Sequence, residues 1–436
     1  MKFTFLLLSC LASVFSFSFE SASAAIYYVS PSGSGTQCTL SSPCSLSTGI
    51  GRPSPGDEVA LLDGVYQETL YIRKGGTGSA PVVVRAVNSR KAVIQLSSGP
   101  LGRVWASYVT VRGIVFDGQQ SGGNKGALRV GAGGEVTLPE AVHHVVLEDI
   151  CVRNTRAAGI SITSGEHDII VRDSLIQSTG HYEFWGEAFY LGSKYYSDQT
   201  VYNLEIYRNE AVGFTENALE AKKFSHHFSV HDNIFRNQVL FTDYGGDLAE
   251  GNDGTVTLDG HSHIVYNNIL YSNKCGMAVF VVEPEANTRI FNNVVYNGVA
   301  PGTYAVRMKD WSKTFPSGQY PPSQVYNNTF YNLVSHNVGS LNSSILIVKN
   351  NLGINLAGNL GAAQTHSSLF INASTGDFRL VAGSPAIDQA SSAPYSTTDF
   401  DGRTATGACR DFGAYEYFSQ GPPLAPKGLR VVDVTD

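Results

Sequence analysis

Charge is scarce in this 436-residue sequence: Asp, Glu, Lys and Arg together make up 15% of it, and the net charge is −7. That balance carries no sign of a nucleic-acid partner, which would call for a basic patch or stripe. Long apolar runs are also missing. Past the first two dozen residues nothing is apolar for long enough to cross a bilayer as a helix, so no membrane insertion is expected. Cysteine is sparse, with six in the whole chain.

The start of the chain stands apart. Lys2, the apolar run Phe3 to Phe19 and the small-residue site Ala22-Ser23-Ala24 form the pattern of a secretory signal peptide over residues 1–24, which predicts a secreted, extracellular protein. Cys10 would leave with that segment. Cys38 and Cys44 flank the short loop Thr39 to Pro43 and are expected to form a local disulfide in an oxidising compartment. Cys151 falls at a core-type position and reads as a buried thiol. Low charge, 45 Gly and abundant Asn suit an all-β chain with many turns.

From residue 108 a repeat emerges. Its clearest copies are Val230-His231-Asp232-Asn233-Ile234-Phe235, Tyr266-Asn267-Asn268-Ile269-Leu270-Tyr271, Phe291-Asn292-Asn293-Val294-Val295-Tyr296 and Tyr326-Asn327-Asn328-Thr329-Phe330-Tyr331. Weaker copies pivot on Gly113, Asp149, Asp173, Asn209 and Asn351. Successive pivots lie 36, 24, 36, 24, 35, 25, 35 and 23 residues apart, so a coil of about 24 residues recurs and every second coil carries roughly eleven more. Short strands at that period predict a solenoid of parallel strands, with Asn at one corner accepting left-handed geometry and bonding to its stacked copy. Propeller blades need ~40 residues or more and do not fit the shorter intervals. The expected organisation is an entry region over 25–100, repeats over 101–355, a closing segment over 356–418 that caps the last coil, and a Pro-rich linker and tail over 419–436. Capped solenoids of this kind are expected to be monomers.

The chemistry gathers on Thr215-Glu216-Asn217-Ala218-Leu219-Glu220-Ala221-Lys222-Lys223. If Leu219 and Ala221 face the core, period-2 alternation turns Glu220 and Lys222 outward together. Matching segments are Leu128 to Val130, Ile160 to Thr163, Phe189 to Leu191, Val256 to Asp259 and Val306 to Lys309. Stacked ~4.8 Å apart, they would line up Ser161 and Thr163, Tyr190, Glu220 and Lys222, Thr257 and Asp259, then Arg307 and Lys309. Long inserts (119–126 with 132–140, 179–186 with 193–200, 238–253, 311–323) would wall this face into a groove. Tyr182, Phe184, Trp185, Trp311, Phe315 and Tyr320 would supply aromatic rings on those walls.

Such a groove suits a linear acidic polysaccharide, because aromatic faces stack on sugar rings while Arg and Lys hold carboxylates. β-Elimination on a uronic-acid polymer needs a cation to neutralise the sugar carboxylate and a base for the α proton. Acids on neighbouring coils can hold Ca²⁺, and a Lys beside it can serve as base. The segment Gly186-Glu187-Ala188-Phe189-Tyr190-Leu191-Gly192-Ser193, followed by Glu216 to Lys222, resembles a paired motif of right-handed parallel β-helix proteins in the pectate-lyase-like superfamily of polysaccharide lyases. The resemblance implies an all-β right-handed parallel β-helix over roughly residues 50–390. It also implies calcium ligands at Glu187, Glu216, Glu220 and Asp259, the base at Lys222, and substrate clamps at Arg307 and Lys309. Tyr190, Trp185, Trp311 and His261 are the expected sugar contacts.

Plainer readings compete at each position. Glu220–Lys222 could be an exposed ion pair worth ~0–1 kcal/mol. Glu187 could cap a loop, Asp259-Gly260 could mark a turn, and His261 with His263 could end a strand. His226, His227 and His231 favour a structural role. A glycoside hydrolase using two of Glu187, Glu220 and Asp259, and a non-catalytic carbohydrate-binding protein, are the alternatives to the lyase.

Overall fold

The computed structural model describes residues 24–419, apart from 121–126, 164, 181–185, 194–199, 240–253, 275–277, 299–303, 310–314, 340–341, 343, 391–392, 395 and 405–408. Residues 1–23 of the expected signal peptide and 420–436 of the expected Pro-rich tail lie outside the described residues. No helix among those described is long and apolar enough to cross a membrane.

Each full coil lays down three short strands. One coil contributes Tyr202–Tyr207, Glu210–Val212 and Leu219–Ala221; the next contributes Ser229–His231, Ile234–Arg236 and Gly254–Leu258. Each coil strand pairs in parallel with its copy on the following coil, building sheets of twelve, ten and ten strands, here called sheets one, two and three in chain order, and the closing segment adds an antiparallel pair, Phe370–Asn372 with Asp377–Leu380. Alternation dictates the core: Val82–Ala86 buries Val82, Val84 and Ala86 and turns Val83 and Arg85 outward. Inward Ile, Val, Leu and Phe from successive coils merge into one column of core that starts at Val29 and ends at Ile354. The fold is the expected parallel β-helix.

The corner between sheets one and two differs in one detail from the sequence expectation. Two consecutive residues divide the work that one Asn was expected to do. Arg208, Asp232, Asn267, Asn292 and Asn327 take the left-handed conformation, at φ between +51° and +56°. The following residue, buried Asn209, Asn233, Asn268, Asn293 or Asn328, carries the ladder. Each ladder amide donates Nδ2–H to the Oδ1 of the next, at 3.1 Å from Asn209 to Asn233 and 2.9 Å for the following steps as far as Asn351. Asp149 and Asp173 are left-handed residues, in register with Arg208 rather than Asn209. The pivot spacing from Asp173 is therefore one residue shorter than the sequence count.

At the N-terminal end a single-turn helix, Leu46–Ile50, packs beside the first strands, and the Cys38–Cys44 disulfide closes the loop before it. Cys151 is a buried free thiol. The closing segment does more than lid the last coil. It doubles back along the side of sheet two: Asn292 Nδ2 donates to the Thr398 carbonyl at 2.7 Å, Asn327 Nδ2 to the Asp411 carbonyl at 3.2 Å, and the Gly413 N–H to the Asn350 carbonyl at 3.1 Å. A second core of Phe370, Phe378, Leu380 and Ala414 seals it against Val294 and Leu352.

Candidate active site on sheet three

Leu219 and Ala221 are fully buried, so Glu220 is turned out of the core, as alternation requires. The register aligns Arg103, Arg129, Ser161, Tyr190, Glu220, Thr257, Val281 and Arg307 in one outward row. One step along the strands, main-chain bonds from Lys222 N–H to Leu191, Asp259 N–H to Ala221, Glu283 N–H to Leu258 and Lys309 N–H to Val282 set a second row: Lys222, Asp259, Glu283, Lys309. Gly192 precedes Lys222 in that row at φ +93°, and a Cβ there would stand 3.3 Å from the Lys222 Cβ, so a side chain at this position would be strained and crowded.

Charges in these rows are paired unequally. The Lys222 ammonium bonds to Glu220 and the Lys309 ammonium to Asp259. Both pairs are nearly dry: the side chains retain between 6% and 11% of their exposure, which sets them apart from an ordinary surface pair. Lys222 Nζ also sits 4.8 Å above the centre of the Tyr190 ring. Burial pulls the Lys222 pKa down, but Glu220, Tyr190 and Glu187 outweigh it and hold the ammonium above its usual range. Asp259 is raised by burial despite Lys309.

Glu187 and Glu216 stand behind this pair, at the entrances to adjacent strands. Glu187 is fully buried and Glu216 is 8% exposed. Neither Glu187 oxygen meets a hydrogen-bond donor, nor do Oε2 of Glu216 and Oδ1 of Asp259. Besides the Gly186 main chain, the neighbour in reach of Glu216 is the Glu187 carboxyl, itself an acceptor unless one of the two holds a proton. Burial first, then the neighbouring Glu216 and Glu220, drives Glu187 well above the carboxylate range; burial and Glu220 raise Glu216 to about 8. Both shifts run toward keeping a proton on this acid pair.

Of the residues expected to act, the fold brings Glu187, Glu216, Glu220, Lys222, Asp259, Lys309, Tyr190 and Arg307 onto one face. Trp185 and Trp311 lie outside the described residues, as do Tyr182 and Phe184. His261 is present at the margin, but both its ring faces are covered. His226 stacks on it at 4.9 Å and Tyr320 at 4.2 Å, while Phe315 meets it edge-on. Its geometry is that of an anchor for the 315–320 insert. His263 is buried, with Nε2 at 2.8 Å from the Asp259 carbonyl. Arg103 and Arg129 were not singled out from sequence. They extend the outward row toward the N-terminal end, and both bind Glu135, at 2.7 and 2.8 Å. Burial and the adjacent Arg103 lower the Arg129 pKa.

Among the described residues no group of three or more His, Cys, Asp or Glu side chains is arranged to hold a metal ion. Glu220 and Asp259 are committed to lysines, and the orphaned oxygens of Glu187 and Glu216 fall short of the ~six to eight that calcium takes. As folded, these residues do not form a calcium cage.

No protein-family profile matches the chain. A curated relative, pectate lyase L of Dickeya dadantii (strain 3937), is 28% identical over 155 residues, 32% of this chain; the match spans 34% of that protein's length. Three solved structures share the architecture. The pectate lyase Pel9A has a TM-score of 0.61 at 16% identity, over 90% of this chain and 97% of that one. An alginate lyase from Paenibacillus sp. str. FPU-7 has 0.55 at 18%, over 71% and 99%. A lacto-N-biosidase from Eubacterium ramulus has 0.54 at 13%, over 74% and 65%. At these identities the likeness is one of fold, and the same fold carries more than one chemistry. The chain is thus a parallel β-helix protein with the architecture of pectate and alginate lyases.

Proposed function

We propose that this protein is a secreted polysaccharide lyase that cleaves a uronic-acid-containing glycan by β-elimination on sheet three. The observation that carries the reading is the buried acid group behind Lys222: three acids with oxygens that no donor meets, beside two lysines on a single outward face. A structural cluster would be expected to satisfy its own oxygens. The partial sequence match to a pectate lyase supports the same reaction class.

In this scheme Arg307 and Lys309 hold the sugar carboxylate, and Lys222 takes the proton from the adjacent ring carbon. The electron pair of that C–H bond forms the new C=C bond, the glycosidic C–O bond at the β carbon breaks, and the leaving oxygen takes a proton from water. Lys222 must begin neutral. Burial is the largest influence on it and acts downward. Neutralising the Glu220 charge removes the largest influence that keeps the ammonium charged and leaves burial to favour the neutral amine, the form that can act as base.

Incubation with pectate, alginate and rhamnogalacturonan, with and without EDTA, tests the reading. Ultraviolet absorbance from an unsaturated uronate should rise together with new reducing ends for at least one polymer. Reducing ends without that absorbance would assign hydrolysis by paired carboxyls. Neither signal would leave a binding protein. Loss of the signal in EDTA would bring calcium to this site.

A further inference from the structure

We propose that the junction between sheet two and the closing segment binds a single neutral sugar unit, at a site separate from the acid face on sheet three. A cavity of about 340 Å³ opens there, at the small end of the ~300–1,000 Å³ range of ligand pockets. Tyr271 and Tyr296 of sheet two line one wall, stacked at 5.0 Å and 10°. Phe400 and the hairpin turn before Asp377–Leu380 line the other. Gly376 in that turn has φ +80°, and a Cβ there would come within 3.1 Å of the Tyr296 hydroxyl, so glycine lets the turn close in on that hydroxyl.

The charges decide the class of ligand. Arg236 Nε bonds to Glu210 at 2.5 Å and Arg379 Nε to Asp377 at 2.8 Å, so both cations of the lining are already neutralised. Asp401 takes its charge partner from outside the lining: the Arg403 guanidinium pairs with it at 3.6 Å, while its Oδ2 is buried without a hydrogen bond. Burial and the nearby Asp399 raise its carboxyl pKa. With each cation of the lining already paired, a uronate or sulfate finds no free positive partner there. A buried acceptor lacking a donor, beside aromatic rings, suits the hydroxyls and C–H faces of an uncharged sugar. A gap left by poor packing would not place an unsatisfied carboxylate in its wall, because that costs ~1–3 kcal/mol.

The test uses the full chain and titrates methyl glycosides of galactose, glucose, xylose and rhamnose, with methyl galacturonoside as the charged control, by calorimetry and thermal shift. At least one neutral glycoside should bind. Asp401→Ala should weaken it about tenfold or more, ~1.4 kcal/mol, and Ile269→Trp, which fills the cavity, should abolish it while the circular dichroism stays native. Lys222→Ala should leave it unchanged, which separates this site from the cleavage reading. The proposal is overturned if no neutral glycoside binds, if the uronate alone binds, or if binding survives both cavity variants.

Discussion

Two columns of buried polar side chains run through this solenoid, and they obey opposite rules. The Asn209-to-Asn351 column satisfies itself. Each amide has both donors and an acceptor, so each Oδ1 after Asn209 receives Nδ2–H from the previous coil, Asn209 Oδ1 accepts the Ser174 N–H, and each Nδ2 also reaches a main-chain carbonyl, as Asn233 does at Ile206. The column of Glu187, Glu216, Glu220 and Asp259 cannot close on itself, because carboxylates only accept. Two of its members take lysine partners and the others keep orphaned oxygens. Stacking identical amides stabilises a coil, whereas stacking acids leaves a demand that something else must meet: a proton, a cation or a substrate. That is why chemistry is assigned to the acid face and architecture to the amide corner.

Removing the lysine should produce the largest effect. Lys222→Ala is expected to lower the rate of unsaturated-uronate formation by ~10²–10⁴, the range for a lost general base, while a phenotype confined to KM would contradict the assignment. Next comes the amide column. Asn268→Leu strands the Asn233 N–H and Nδ2 donors and the acceptors that Asn268 served, so urea unfolding should show a loss of about 3–5 kcal/mol, at ~1–3 for each unmet group. Asn293→Asp should convert one kind of column into the other. Its carboxylate would face Asn328 Oδ1 without a proton to donate, so stability should drop by about 2 kcal/mol at neutral pH and recover as pH falls and the acid protonates. A flat pH response of that variant would undo the comparison.

A further effect is an acid limb of stability. His261 is lowered to about 4 and His263 to about 3, chiefly by burial. A depressed histidine favours the folded state fully above its unfolded value near 6.5 and loses that contribution as pH falls toward 4 and 3. The melting temperature should fall over that window, and His261→Phe, which preserves the stack, should flatten the upper part of the slope.

Much of this was legible because coil period and strand alternation are local. The outward row Ser161, Tyr190, Glu220, Thr257 and Arg307 follows from apolar residues on either side of each position, and the register reproduces it. The one-residue slip at Asn209 was not legible, because it depends on Arg208 adopting a left-handed backbone that arginine seldom takes. Nor was the state of Lys222, since Glu187 reaches it from the preceding coil and the balance between burial and charge needs coordinates. The imidazole–tyrosine stack did leave a signal. His143, His167, Tyr202, His226 and His261 recur at 24, 35, 24 and 35 residues, the coil spacing itself, and their rings stack at 4.6 to 5.1 Å. Reading that period would have identified His261 as a ring in a ladder.

The most direct measurement is equilibrium unfolding of wild type and Glu216→Gln between pH 4.5 and 8. Glu216 has its carboxyl raised to about 8, so its stabilising contribution is complete below its ordinary value near 4.5 and is lost as pH rises to 8. Wild type should weaken along that limb by up to ~1.4 kcal/mol per pH unit. The glutamine variant should show a shallower slope, since Glu187 stays raised by burial and Glu220, exceed wild type in stability at pH 8, and lose cleavage activity. A variant less stable than wild type at pH 8 would show that the acids hold the fold together, and would contradict the division between the two columns.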